Sequence, residues 1–373
     1  MFNNLQITDT DIAYYNAIEL LKQMIEIKSF SRNESELADM LEQSLKEQGL
    51  NPLRIENNLI LYSTEIDPSK PTILLNSHID TVKDSDSWTY PPFKATCEEG
   101  KIYGLGSNDA GASVVSLLYA FILLSSKPQP YNLIFLASAE EEVSGKNGVA
   151  LVLESFPKIS FAVVGEPTGM NPAIAEKGLM VIDGVVHGKS GHAARNEGIN
   201  AIYKALPYIE MIKNFEFKES SPLLGPVKVS LTQINAGTQH NVVPDKCMFV
   251  IDVRTNECYS NQEAFNILCK AVEDISDKVN DNIKTCELSV RSLRLNSSSI
   301  SDKHPFISRA SMLGKNSFGS PTLSDQALMN FPTVKIGPGD SARSHTADEY
   351  IYEEEIREAI TLYVKLLDEI TIK

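Results

Sequence analysis

PTILLNSHID, residues 71–80, is a short apolar run that ends in a histidine and an aspartate one residue apart. It is too short for an ordinary helix and shows no polar alternation, so it reads as a strand buried on both faces. Its polar end then belongs at the edge of a sheet. Three other runs have the same form: NLILYST (58–64), YNLIFLASAE (131–140) and FAVVGEP (161–167), each bounded by turn residues. Between the strands at 71–80 and 131–140 lies GASVVSLLYAFILLSS (111–126), a helical stretch long enough to cross back over a sheet. Strand, helix and strand in that order imply a largely parallel sheet with helices on its faces. Upstream, IAYYNAIELLKQMIEI (12–27) and SELADMLEQSLKEQG (35–49) carry apolar residues at helical spacing. Gly49 closes the second, with Asn51 and Pro52 just beyond.

After Lys177 the pattern changes. A strand at 179–188, a helix at 199–215, strands at 227–237 and 246–255, a helix at 261–276 and a strand at 286–296 form a β-α-β-β-α-β series, the ferredoxin-like unit. The expected fold is therefore α/β, with a mainly parallel-sheet domain at 1–176 and 295–373, interrupted by an inserted α+β domain at 177–294. The closing segment, from HPFISRASML (304–313) through FPTVKIGPG (331–339) to the helix at 353–370, resumes the first pattern and rejoins it.

A length of 373 residues exceeds what one core usually serves, which agrees with two domains. The excess of 49 acidic over 34 basic residues, a net charge of −15, disfavours phosphate backbones and anionic membranes as partners. Small-molecule chemistry is favoured. No apolar stretch approaches the roughly 20 residues of a membrane span. The opening MFNNLQITDTDIAYY lacks the basic and apolar segments of a secretory signal, so the cytoplasm is the expected location. Five cysteines with no CxxC pair argue against a disulfide framework and a thiolate metal site.

The chemistry-bearing residues sit where strands end or helices begin. His78 and Asp80 share one face of their strand, so one can bind a metal while the other fixes its surroundings. Read alone, the pair is equally a polar strand exit. Asp109, in the glycine-rich GKIYGLGSNDAGAS (100–113), is placed to extend both carboxylate oxygens from the sheet edge; by itself NDAG is a helix cap and turn. Glu140, Glu141 and Glu142 follow the strand at 131–140, where acids suit a helix start but repel one another unless a cation lies among them. Glu166 again terminates an apolar strand, and His345 stands in RSHTADEY near the end of the chain. Five carboxylates (Asp80, Asp109, Glu141, Glu142 and Glu166) overcharge a cleft holding one divalent ion and nearly neutralise two. Two histidines then allow one imidazole per ion.

NSHIDTV, GLGSNDAGAS, AEEEVSG, VVGEPTG, GKSGHAARNEGINAI and GPGDSARSHTADEY occur in that order and together resemble the acetylornithine deacetylase, succinyl-diaminopimelate desuccinylase and carboxypeptidase G family. The resemblance covers nearly the whole chain, and the ordered set is far more specific than any one motif. It implies a dinuclear zinc amidohydrolase with two Zn2+, replaceable by Co2+ or Mn2+. His78 and Glu166 would hold one ion, Glu142 and His345 the other, and Asp109 would bridge them. Asp80 would orient His78, and Glu141 would act as general base, taking a proton from the attacking water and returning it to the leaving amine. Glu140 departs from the family's commoner aspartate.

The resemblance also implies that His192 reaches the neighbouring subunit's site and stabilises the oxyanion, which makes the inserted domain a dimerisation and lid element of a homodimer. Asn241 and Arg254 match positions that bind the substrate carboxylate. Thr168, Lys177 and Arg343 lie near the motifs and are further candidates for reading the substrate. His187 reads as structural, His304 as an exposed helix opening, and His240 stays ambiguous. The expected activity is removal of an acetyl or succinyl group from an N-acyl amino acid, as in acetylornithine deacetylase of arginine biosynthesis. The alternatives are a succinyl-diaminopimelate desuccinylase, a dipeptidase or carboxypeptidase of the same family, and a non-catalytic binding protein on the same fold.

Overall fold

A computed structural model describes residues 9–195, 197–278 and 286–372. Pro71 opens the strand Thr72–His78, and all of that strand is buried. It pairs in parallel with Asn132–Ser138 on one side and with Phe161–Val164 on the other. Thr333–Lys335 continues the parallel set beyond Phe161–Val164. The flanks run the other way: Asn58–Tyr62 joins Asn132–Ser138 antiparallel, a hairpin adds Leu53–Ile55, and Ala173–Glu176 lies antiparallel to Thr333–Lys335. The sheet is thus mixed, with a parallel centre.

The chain leaves Thr72–His78 for the strand on one side, then crosses to the strand on the other. Such a reversal opens a crevice at the carboxyl ends of the strands, where ligands of open α/β sheets bind. His78 is opposite Ser138 and Asn76 is opposite Val164 in register, so the residues after all three strands emerge at that same edge.

Alternate strand residues feed two cores. Ile73, Leu75, Leu133, Phe135 and Ala137 face the cluster built with the helices Thr10–Ile25, Ala112–Ser125 and Glu353–Leu367. Leu74, Ile134, Leu136, Ala162 and Val164 face a second cluster with Val149 and Val152 of the helix Val149–Leu153. Each of the larger side chains, fully buried, contributes about 1.5–3 kcal/mol of transfer free energy. Contrary to the expectation that no apolar stretch approaches the length of a membrane span, Ser107–Ser125 is long and apolar enough to cross one by length and composition, yet it is 94% buried inside the protein. Its apolar character is explained by its position against the sheet and beneath two other helices. A small antiparallel sheet of Thr96–Glu98, Lys101–Tyr103 and Tyr350–Tyr352 had no clear signature in the sequence.

The chain divides into two compact units, the first Met1–Ile174, Ser299–Phe318 and Ser324–Lys373, the second Ala175–Ser298 with Gly319–Leu323. In the second, Met180–His187, Lys228–Ala236, Lys246–Arg254 and Cys286–Val290 form an antiparallel sheet, with Met180–His187 and Lys246–Arg254 at its centre. With the helices Ala201–Lys213 and Asn261–Lys278, that order is the ferredoxin-like arrangement. Cys247, Phe249, Ile251 and Val253 alternate inward and pack with Met180, Ile182 and Val186. Phe249 lies across from Gly184, where a Cβ would fall 2.1 Å from the phenyl ring, so the glycine makes room for the ring. The last strand ends at Val290, before the LRLN that was included in the expected strand.

Candidate metal centre

His78 is the final residue of its strand, and its ring is held from one side. Nδ1 lies 2.9 Å from the Asp80 carbonyl oxygen and 3.6 Å from the Asp80 carboxylate. This leaves Nε2 directed at Asp109 Oδ1 (3.2 Å), Glu166 Oε1 (3.8 Å) and Glu141 Oε2 (4.0 Å). A carbonyl acceptor at Nδ1 favours the tautomer with a free lone pair on Nε2, the form a metal needs.

Asp80 does more than face His78. Its carboxylate accepts from Ser31 Oγ at 2.7 Å and from the backbone amides of Glu141 (2.9 Å) and Glu142 (3.1 Å). One buried carboxylate therefore ties the end of Thr72–His78 to the turn after Asn132–Ser138. Within that turn Glu140 takes a left-handed conformation, φ 56°. Its side chain folds back to accept from Asn147 N (3.2 Å) and Asn147 Nδ2 (2.9 Å), so the first acid of the triplet closes its own loop while the next two reach the site.

Asp109 follows a turn in which Gly106 has φ 77°, and its peptide to Ala110 is cis. Its two oxygens point apart: Oδ1 toward His78, Oδ2 toward His345 Nε2 at 3.6 Å. His345 Nε2 is also 3.0 Å from Glu142 Oε1. Two groups of three therefore share Asp109, namely His78, Asp109 and Glu166, and Asp109, Glu142 and His345; in each, donor atoms lie within 4.8 Å of one another. A third group, His78, Glu141 and Glu142, overlaps both.

The electrostatics fit a pair of cations. Glu166 Oε1 is buried without a hydrogen-bond partner, a costly condition for a carboxylate oxygen. With protein charges alone, burial drives the Glu141 carboxyl well above its usual range, aided by Glu166, Asp325 and Glu142. Burial and the Asp109 charge likewise push Glu166 up to about 8, against the pull of His78. For His78, burial favours the neutral ring, but hydrogen bonds to Asp109 and Asp80 prevail and hold its pKa well above the ordinary value. The hydrogen bond to Glu142 lifts His345 to about 9. Imidazole and carboxylate donors of this kind suit Zn2+, Co2+ and Mn2+.

Metal uptake should accordingly strengthen with pH. Glu166 and His345 carry protons below their pKa values of about 8 and 9, His78 is raised as well, and a cation must displace the protons of all three. Affinity should climb from about pH 6 through pH 9, with protons released on binding. Calorimetric titration of the metal in buffers of different ionisation enthalpy measures both, and an affinity independent of pH over that interval would refute the assignment.

Several supporting residues had no motif to announce them. Glu349 accepts the amides of Gly106, Asn108 and Asp109. Asp325 accepts from Asn76 Nδ2 (2.9 Å) and Ser138 Oγ (2.8 Å) beneath the strand ends, and burial raises it to about 6. Glu34 accepts from the amides of Arg32 (2.6 Å) and Glu140 (3.3 Å) and from Asn57 Nδ2 (3.1 Å). Acids followed by turns are common, and only their burial marks these three.

In the second unit, His192 and Asn241 lie on neighbouring loops. Gly191–His192 pairs with Val242–Val243, and Ala193 N donates to the Asn241 carbonyl at 3.0 Å. His192 and Asn241 are exposed on these loops. Arg254 is half-buried at the end of Lys246–Arg254, where its guanidinium forks onto the Asp252 carboxylate at 2.9 and 3.2 Å. Arg343, a candidate for substrate binding, instead pairs with Glu355 at 2.7 and 3.2 Å. Thr168 Oγ1 accepts from Gly337 N at 3.1 Å, and Lys177 Nζ donates to the Pro226 carbonyl at 3.3 Å. His187 ends its strand in an exposed position. His304 is not the exposed helix opening expected. It is half-buried, its ring 4.5 Å from that of Phe161, and it caps Phe306 N at 3.3 Å.

Residues 74–369 match the peptidase family M20/M25/M40. The chain belongs to this family. Its curated relatives include the succinyl-diaminopimelate desuccinylase of Orientia tsutsugamushi strain Boryong, 26% identical over 90% of this chain and 85% of that one. The probable succinyl-diaminopimelate desuccinylase of Staphylococcus aureus strain MSSA476 is 25% identical over 94% of this chain and 95% of the other. Among solved structures, aminopeptidase PepT of Bacillus cereus superposes with a TM-score of 0.75 at 18% identity, over 95% and 98% of the two chains. A dinuclear metal binding peptidase of the M20 family from Bacillus subtilis does so with a TM-score of 0.73 at 19% identity, over 96% and 98%. As an M20 member the chain is a metal-dependent hydrolase acting on amide bonds.

Proposed function

We propose that this M20 hydrolase removes an acetyl or succinyl group from an N-acyl amino acid, using two zinc ions. The observation that carries the dinuclear reading is the sharing of Asp109 between two sets of donors. His78 and Glu166 complete one set, Glu142 and His345 the other. When bound, the metals polarise the scissile carbonyl and lower the pKa of water.

The chain's own residues supply the rest. Glu141 is the general base: its carboxyl lies among the donors, and the burial and negative neighbours that raise its proton affinity suit it to take a proton from water and pass it to the leaving nitrogen. Asp80 positions His78 and the backbone of Glu141 and Glu142 together. His192 stabilises the oxyanion of a neighbouring subunit, and Asn241 and Arg254 bind the substrate carboxylate, which for Arg254 means exchanging the Asp252 carboxylate for that of the substrate. A homodimer through the inserted unit is supported by the edge position of Lys228–Ala236, which pairs on one side with Lys246–Arg254 and has no strand on the other among the described residues, with Ile234 51% exposed. On the helix Ala201–Lys213, which packs against that strand, Tyr203 and Leu206 are 71% and 55% exposed.

An N-acylornithine-type substrate of arginine biosynthesis is the first reading, resting on the ordered motif set. Succinyl-diaminopimelate is the second, favoured by the name carried by the curated relatives. Hydrolysis of N-acetylornithine, N-acetylcitrulline, N-succinylornithine, N-succinyl-diaminopimelate and a dipeptide, compared by kcat/KM with added Zn2+, should single out one acylated amino acid. Preference for the dipeptide over all four would overturn the deacylase reading.

A further inference from the structure

Asn108 and Glu349 are fully buried beside two potential ligands, Asn108 adjoining Asp109 in sequence and Glu349 four positions after His345. Each reaches across to the other's segment. Glu349 Oε1 accepts from Asn108 N (2.8 Å) and Asp109 N (2.9 Å), and Oε2 accepts from Gly106 N (3.2 Å). In return Asn108 Nδ2 donates to the Asp340 carbonyl (3.1 Å) and Ser344 Oγ (3.3 Å), and Asn108 Oδ1 accepts from Asp340 N (3.0 Å). Gly339 leaves the room for this exchange: its φ is +87°, and a Cβ there would lie 2.2 Å from Asn108 Oδ1.

We propose that Asn108 and Glu349 are positioning residues, a reciprocal latch that locks the loop carrying Asp109 to the segment carrying His345. Six side-chain-to-backbone or side-chain hydrogen bonds, three of them to a carboxylate, join the two loops beyond the point where the pairing of Lys101–Tyr103 with Tyr350–Tyr352 and the Gly104 N bond to the Glu349 carbonyl leave off. The inference rests on the reading of the site as dinuclear. It adds an asymmetry between the two ions. In the set His78, Asp109 and Glu166, two donors follow or end buried strands and keep their anchors without the latch. In the set Asp109, Glu142 and His345, only Glu142 does, through the Asp80 bond to its amide. Loss of the latch therefore loosens one donor of three in the first set and two of three in the second.

Titration with Co2+, followed by calorimetry and by the d–d absorption of the bound ion, tests this on the whole chain. Wild type should bind two ions. Glu349→Ala should weaken the second ion by about 10–100-fold, in the range for residues that orient metal ligands, while the first changes by less than about threefold. Glu349→Gln, which keeps an oxygen acceptor but turns a donor toward an amide, should lie between. Circular dichroism on the same samples reports folding; if Glu349→Ala does not fold, Asn108→Ala and Glu349→Gln carry the comparison. A wild type that binds fewer than two ions defeats the dinuclear reading and the latch with it. A wild type that binds two, with folded variants that bind both as tightly or lose both equally, overturns the latch alone.

Discussion

Glu141→Gln should retain both metal ions and lose turnover by about 10²–10⁴-fold, the range for removal of a general base. The substitution keeps the shape of the side chain, and the Glu141 backbone amide that donates to Asp80 is untouched. What disappears is a carboxylate able to gain and lose a proton. Burial, together with Glu166, Asp325 and Glu142, gives that carboxylate its raised proton affinity, and an amide has none to raise. The same variant separates the two roles that geometry allows, because Glu141 also falls in a possible donor group with His78 and Glu142. Metal content by mass spectrometry alongside kcat decides the matter. Two ions with collapsed kcat mark a base, one ion lost marks a ligand, and unchanged turnover would sink the mechanism.

His192→Ala should cost about 10²–10³-fold in kcat, as the loss of an oxyanion donor does elsewhere. The informative measurement is complementation. If His192 serves the partner's site, a mixed dimer of His192→Ala and Glu141→Gln chains contains one complete site, built from the Glu141 of one chain and the His192 of the other. Unfolding and refolding equal amounts of the two inactive proteins together should then restore about a quarter of wild-type activity, given random pairing in a two-fold dimer. Separate refolding should restore none. No recovery from a mixture shown to contain mixed dimers would place His192 in its own subunit's site or outside catalysis, and a fully active monomer would remove the cross-subunit role altogether.

Most of the strand-end chemistry was legible because strands of this kind announce themselves. An apolar run without alternation must be buried on both faces, and a polar residue directly after it must lie at an edge. That reasoning puts His78, Glu141, Glu142 and Glu166 at strand ends or just beyond them. The parallel centre followed from the intervening helix at 112–125. The antiparallel flanks did not, since a strand's direction is not encoded in its own composition. The burial of His304 is hidden for a related reason: a cap residue's backbone role is local, whereas its burial depends on Phe161, distant in sequence.

The residues that hold the site in shape were harder to find. Glu349, Asp325 and Glu34 are acids in turn-rich segments and look like solvated surface in a chain with 49 acidic residues. Each is buried and accepts hydrogen bonds from segments far along the chain. Arg343 and Arg254 show what else position in the chain leaves open: each guanidinium forks onto a carboxylate of its own unit, Glu355 and Asp252.

By itself the sequence determined the kinds of element, their order, and the residue types able to carry metal chemistry, because periodicity and strand ends are local properties of the chain. Only the tertiary structure decided that Asp109 turns one oxygen toward His78 and the other toward His345, and that Asp80 holds the backbone amides of Glu141 and Glu142. Those orientations come from hydrogen bonds between segments up to hundreds of residues apart, whose partners are chosen by the fold and not by their neighbours in the chain.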